Sequence, residues 1–193
     1  MHDGPIIVAG IGAVALAGAL WMFSVTGANG DPSPAAEPSA KLTTHVGTVP
    51  DDLLEKHLTI PVTGVSAEDL APQFYDARGE RGHEALDIIA MTGEPVVAVE
   101  DGRIAKLFLS KPGGNTIYQF DPTETYAYYY AHLDRYADGL AEGALVKRGQ
   151  VIGYVGMTGN AATPHLHLAI FRLGPEKQWW KGEALDPYPA LNQ

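Results

Sequence analysis

Two histidines stand two positions apart in Thr163-Pro164-His165-Leu166-His167-Leu168-Ala169-Ile170, a stretch in which polar and apolar residues alternate. Strand side chains repeat with period two, so the pattern predicts a strand with both imidazoles on one face and Leu166 and Leu168 on the other. Imidazoles aimed at one volume suit a metal site or an acid–base pair. They equally suit a half-buried polar face, and two ligands alone do not make a site.

Partners must therefore come from elsewhere in the chain. His83 and Asp87, in Arg81-Gly82-His83-Glu84-Ala85-Leu86-Asp87-Ile88, combine a glycine turn with the start of an apolar strand. A carboxylate among apolar neighbours calls for a partner or a cation, although backbone amides can also satisfy it. His132 lies in Tyr128-Tyr129-Tyr130-Ala131-His132-Leu133; taken alone it reads as a core or strand-end histidine among aromatics. The set changes that reading. His83, Asp87, His132, His165 and His167 offer two imidazoles and a carboxylate for a zinc ion, with two imidazoles left over. Catalytic zinc uses three protein ligands and keeps an open position for water.

Composition narrows the chemistry further. The chain has no cysteine, which excludes thiolate zinc sites, cysteine nucleophiles, disulfides and a lipid-modified N-terminal cysteine, and leaves His, Asp and Glu as the strong ligands. A net charge of −10 without a lysine or arginine cluster argues against nucleic acid. At 193 residues there is room for one domain plus some extra chain. With 22 glycines and 14 prolines, turns should be frequent. Strand-like runs cover 86–90, 96–99, 103–110, 116–120, 127–130, 151–155 and 165–171, with Asp101-Gly102, Gly113-Gly114-Asn115 and Thr158-Gly159-Asn160 as turns between some of them. The spacing predicts a mainly β domain of two packed antiparallel sheets. Only 133–145 reads as partly helical, together with a short helix over 51–58.

Ahead of this body, residues 5–25 carry no charge and include Trp21 near one end. About 20 apolar residues suffice to cross a bilayer, so residues 1–28 read as a transmembrane anchor. The alternative is a signal peptide cleaved near Thr26-Gly27-Ala28, although the flank Met1-His2-Asp3-Gly4 lacks a basic residue. Residues 29–57 form a linker rich in proline and alanine and the short helix, and the domain proper spans 58–193.

Over residues 58–191 the sequence resembles the lysostaphin-type, or LytM-like, zinc endopeptidases that cut peptidoglycan peptides. His83-x-x-x-Asp87 is similar to the family's first metal motif, Tyr130-Ala131-His132-Leu133 to its central histidine, and His165-Leu166-His167 to its last motif. Pro95-Val96-Val97-Ala98 with Asp101-Gly102, Gly149-Gln150-Val151-Ile152-Gly153 and Gly156-Met157-Thr158-Gly159 stand between them in the familiar order. Two positions depart from the pattern: Ala85 replaces a frequent glycine, and Ala169 a frequent acidic residue. Neither is a ligand. Arg78 stands where the family often carries an arginine, and a structural or surface role for it weighs at least as heavily.

The resemblance implies a LytM-type domain whose Zn2+ is held by His83, Asp87 and His167. His132 and His165 would then act on the water and on the developing oxyanion, with the general base unassigned between them. It implies peptidoglycan peptides as substrate and a place in the bacterial cell envelope. The N-terminal helix would hold the chain in the cytoplasmic membrane with the catalytic domain outside, in the periplasm, or the domain would be secreted after signal cleavage. A non-catalytic peptidoglycan-binding relative or amidase activator is the competing function, and such relatives typically lack some of the ligands present here. A protein substrate for the same chemistry is a third reading, and no protein partner is identified.

Overall fold

The computed structural model describes residues 49–78 and 81–193. The expected membrane span over 1–28 and the linker up to residue 48 lie outside the described residues. Among the described residues, no helix is long and apolar enough to cross a membrane.

The chain opens with α1 (Asp51–Leu54) and a 3-10 turn (Ala67–Asp69), followed by a hairpin of β1 (Ala77–Arg78) and β2 (Arg81–Gly82). Next come β3 (Leu86–Ile89), β4 (Pro95–Val97), β5 (Gly102–Ser110), β6 (Gly114–Phe120) and β7 (Tyr126–Leu133). The rest is β8 (Arg135–Tyr136), β9 (Leu145–Val146), β10 (Val151–Tyr154), β11 (His165–Leu173), β12 (Gly182–Leu185) and α2 (Tyr188–Leu191). A seven-stranded sheet runs β12-β11-β7-β6-β5-β9 with β3 paired to β11, and a three-stranded sheet runs β4-β10-β8. The described pairings are antiparallel. The fold is thus mainly β and antiparallel, as expected, with the small β1–β2 hairpin in addition.

Strand alternation explains where the core lies. On β7, Tyr126, Tyr128 and Tyr130 point into the main core with Leu166, Leu168 and Ile170 of β11, Val96 of β4 and Ile152 of β10. That core fills the space between the two sheets. Ala127, Tyr129 and Ala131 face the other way, into a second apolar cluster with Ala169, Phe171 and Tyr118, against which Trp179 packs. Trp179 therefore covers part of the large sheet's outer face, its ring 4.8 Å from Tyr118 and 5.4 Å from Phe108.

Two helical expectations need correction. Residues 133–145 contain the end of β7, β8 and turns rather than helix. Gly139 and Gly143 take left-handed φ values of +75° and +83°, and the main chain pairs across to β5 instead: Gly143 N–H donates to Ile104 O at 2.8 Å and Ile104 N–H to Ala144 O at 2.9 Å. The helix expected over 51–58 stops at Leu54. Just beyond it, Lys56 turns inward to Glu100 and Asp121, each 3.1 Å away, and His57 adopts φ +47°. The sequence pattern also did not foresee β12 and α2.

Candidate metal centre

At its first turn-proximal residues β11 lies between β3 and β7. His167 stands opposite Asp87 on one side and Ala131 on the other, and His165 stands opposite Ile89. Directly paired residues on antiparallel strands project from the same face, so Asp87, Ile89, His165 and His167 share the outer face of the large sheet. Ile89 is 69 % exposed there, which places an aliphatic rim beside the histidines.

His132 reaches that face by a different device. Simple alternation along β7 would send it into the core with Tyr130. The pairing of β6 with β7 instead slips by one residue, from Ile117↔Tyr130 to Asn115↔Leu133, and His132 takes φ +61°. The inserted residue is a bulge, which re-aims a side chain at the cost of local strain. Leu133 returns to the core, while the His132 ring lies 4.8 Å from that of His165 and 5.6 Å from that of His167. A turn at residues 156–160 braces the bulge. His132 Nδ1 donates to Thr158 O at 2.9 Å, and Thr158 Oγ1 donates to Leu133 O at 2.8 Å. A Cβ on Gly156 would overlap the Asp134 backbone, so only glycine permits this close approach. Asn115 joins the brace by donating to Leu133 O and Asp134 O.

The remaining side chains meet at one point. His83 Nε2 and His167 Nδ1 each lie 2.9 Å from Asp87 Oδ1 and 3.3 Å from one another. His83 Nδ1 donates to the Gln73 carbonyl at 3.2 Å, which leaves Nε2 facing Asp87. Nitrogen and carboxylate atoms set this close together suit a shared cation, either a proton or a metal ion. Tetrahedral zinc with ligand bonds of about 2.0–2.1 Å sets its donors about 3.3 Å apart. The three donors form a triangle close to that size, so the residues fit such an ion.

The electrostatics agree with the geometry. Burial by itself would raise the Asp87 carboxyl, but hydrogen bonds from His167 and His83 outweigh it and hold the group far below the usual carboxylate range. His132 moves the other way: burial lowers its imidazole to about 4, against the opposing bond to Thr158. It is neutral at physiological pH. His165 Nδ1 donates to Thr163 O at 2.7 Å. Both His132 and His165 are thus held through Nδ1, with Nε2 left to the site.

Among the described residues, two overlapping groups could hold a metal ion: His83, Asp87 and His167, and His132, His165 and His167. The first contains the carboxylate that offsets a dication's charge. In the second, the desolvated His132 stands among other imidazoles.

All five residues singled out in the sequence therefore converge. Tyr129 lies on the site face, 6.1 Å from the His167 ring, while Tyr128 and Tyr130 are core residues. His57 takes no part, and His2 and His45 lie outside the described residues. Arg78 is not a surface bystander: its Nη2 lies 2.6 Å from Asp87 Oδ2. Gln73 was missed altogether. A glutamine after a proline in a loop carries no pattern, and only the fold reveals its bonds to His83 and Asp87.

A mainly β domain with these convergent side chains has the fold and site of a metallopeptidase-like hydrolase. The profile of peptidase family M23 matches residues 81–187, more than half of the chain, and the chain belongs to that family. It is similar to the L-Ala–D-Glu endopeptidase of Bacillus subtilis, 36% identical over 126 residues, which cover 60% of this chain and 37% of that protein. Among solved structures it resembles the catalytic domain of lysostaphin from Staphylococcus simulans, with TM-score 0.53, 27% identity, and 74% of this chain and 97% of that one covered. It also resembles a zinc-containing peptidase from Vibrio cholerae, with TM-score 0.50, 25% identity, and coverage of 70% and 37%. The chain thus spans well under half the length of its Bacillus relative.

Proposed function

We propose that this chain is a zinc-dependent endopeptidase that hydrolyses peptide bonds in the stem peptides or cross-links of peptidoglycan. The observation that carries the reading is the triangle of His83 Nε2, Asp87 Oδ1 and His167 Nδ1, with sides of 2.9, 2.9 and 3.3 Å, beside two further histidines. The relatives named above support the substrate class. The N-terminal segment, read as an anchor, would hold residues 58–193 as the catalytic domain on the outer side of the cytoplasmic membrane.

His83, Asp87 and His167 would hold the zinc, whose Lewis acidity acidifies a water molecule and polarises an amide carbonyl. His132 and His165 move the protons. Each presents Nε2 to the site because its Nδ1 proton is committed to a backbone carbonyl. A neutral imidazole accepts a proton as water attacks the carbonyl, then returns it to the departing amine. The other ring can donate from Nε2 only as an imidazolium, and in that form it would stabilise charge on the former carbonyl oxygen. Burial of His132 keeps it unprotonated and ready to accept. Ile89, opposite His165 and exposed, offers an apolar contact for a small aliphatic side chain next to the cut bond.

Digestion of purified sacculi tests the proposal. The zinc-loaded chain should release soluble muropeptides with new amino termini, and a chelator should stop the release. Binding to sacculi without release would favour the non-catalytic reading.

A further inference from the structure

Gln73 and Arg78 both precede residues 81–187, the part matched to the family, yet both reach the ligands. The two oxygens of Asp87 have different surroundings. Oδ1 faces His83 and His167 at 2.9 Å each, whereas Oδ2 accepts from Arg78 Nη2 at 2.6 Å. The same guanidinium nitrogen lies 3.4 Å from His83 Nε2. The Arg78 side chain is 55% exposed and that of Asp87 only 11%, so the guanidinium closes the carboxylate off from solvent at the rim of the site.

Gln73 works from behind. Its side-chain Oε1 accepts the Asp87 N–H at 3.2 Å, and its main-chain oxygen accepts His83 Nδ1–H at 3.2 Å. The neighbouring main chain is tied to the same ligand loop, since His83 N–H donates to Asp76 O at 2.8 Å and Glu84 N–H to Phe74 O at 2.9 Å. One short stretch thus touches both ligands through ring, carboxylate and backbone.

We propose that Gln73 and Arg78 are positioning residues of the metal centre: Arg78 occupies Asp87 Oδ2 so that the carboxylate presents Oδ1 alone to the ion, while Gln73 fixes the His83 ring and the Asp87 backbone. The proposal rests on the ligand set given above. A charge-assisted bond to arginine is stronger than a neutral one and fixes the carboxylate plane. Without it, Asp87 is free to turn and offer either oxygen. Outer partners of this kind are worth about 10–100-fold in metal affinity.

The test is zinc affinity of the full chain, read by competition with a chromophoric chelator, with the melting temperature of the zinc-free protein as a control for folding. Arg78→Ala should weaken zinc by about 10–100-fold, and Gln73→Leu, which removes the bond to the Asp87 amide but keeps the main-chain oxygen on His83, by a smaller factor, neither lowering that melting temperature appreciably. Arg78→Lys, which restores the charge and one donor, should recover part of the loss. Wild-type affinity in both Arg78→Ala and Gln73→Leu, while Asp87→Ala loses zinc, overturns this proposal alone. Wild-type affinity in Asp87→Ala overturns the ligand set beneath it.

Discussion

Replacing His132 by glycine and by alanine separates what its backbone contributes from what its ring contributes. Both changes delete the same imidazole, with its bond to Thr158 and its contacts with His165 and His167. Those losses cancel when the two variants are compared. What remains is the backbone at φ +61°. A left-handed residue with a Cβ is strained by about 1–2 kcal/mol, and glycine is not. At an ordinary strand position glycine would be the less stable of the two by about 0.5–1 kcal/mol, because its unfolded chain is freer. Here the strain outweighs that term, so His132→Gly should be more stable than His132→Ala by about 0.5–1 kcal/mol. For a domain of this size that is a difference of about 1–4 °C in melting temperature. Calorimetry on zinc-free protein avoids a contribution from metal binding. Both variants should still bind zinc and both should lose turnover. An alanine variant as stable as the glycine variant, or more so, would refute the claim that the bulge is a strained device for aiming the imidazole.

Gly156→Ala would push a Cβ into the Asp134 backbone and to 2.7 Å from His132 O. It should cost about 1–3 kcal/mol in urea denaturation, as overpacking does, and wild-type stability would show that the two turns are not locked together. Asp121 makes a prediction about acid. Burial works to raise its carboxyl, but bonds from Thr123, the Tyr126 amide and Lys56 outweigh this and hold it below the ordinary value of 3.8. Its stabilisation is therefore fully present above 3.8 and lost as pH falls through the depressed folded value. Asp121→Asn should be less stable than wild type at neutral pH, with the gap in urea midpoints closing in that acidic window. A gap that does not change with pH would contradict this.

Much of the site was legible because it depends on strand period. The alternation in His165-Leu166-His167-Leu168 places imidazoles on one face and leucines on the other, and the register with β3 then brings Asp87 opposite His167. Strand period alone gave His132 only as a residue type, and its role rested on the resemblance of Tyr130-Ala131-His132-Leu133 to the family's central motif. Period two assigns it to the core face, and the bulge that turns it outward depends on the Gly113 carbonyl, which accepts the His132 N–H at 2.8 Å, and on Gly156 and Thr158 from the later turn. Tyr128 and Tyr130 fall on one face of the strand-like run 127–130 by period two, but burial of Ala127, Tyr129 and Ala131 on the other comes from tertiary cover that includes Trp179. The helix expected over 133–145 failed because two glycines and pairing with β5 outweighed a weak local pattern. Gln73 acts through one carbonyl and one amide oxygen, groups that sequence alone cannot place.

The two overlapping groups of possible ligands share His167 and differ in everything else, so zinc content in two single variants decides between them. Equilibrium dialysis followed by elemental analysis should find about one zinc per chain in wild type and in His165→Ala, and almost none in Asp87→Ala. Zinc retained by Asp87→Ala and lost from His165→Ala would contradict the account, and would move the metal to the group containing His132.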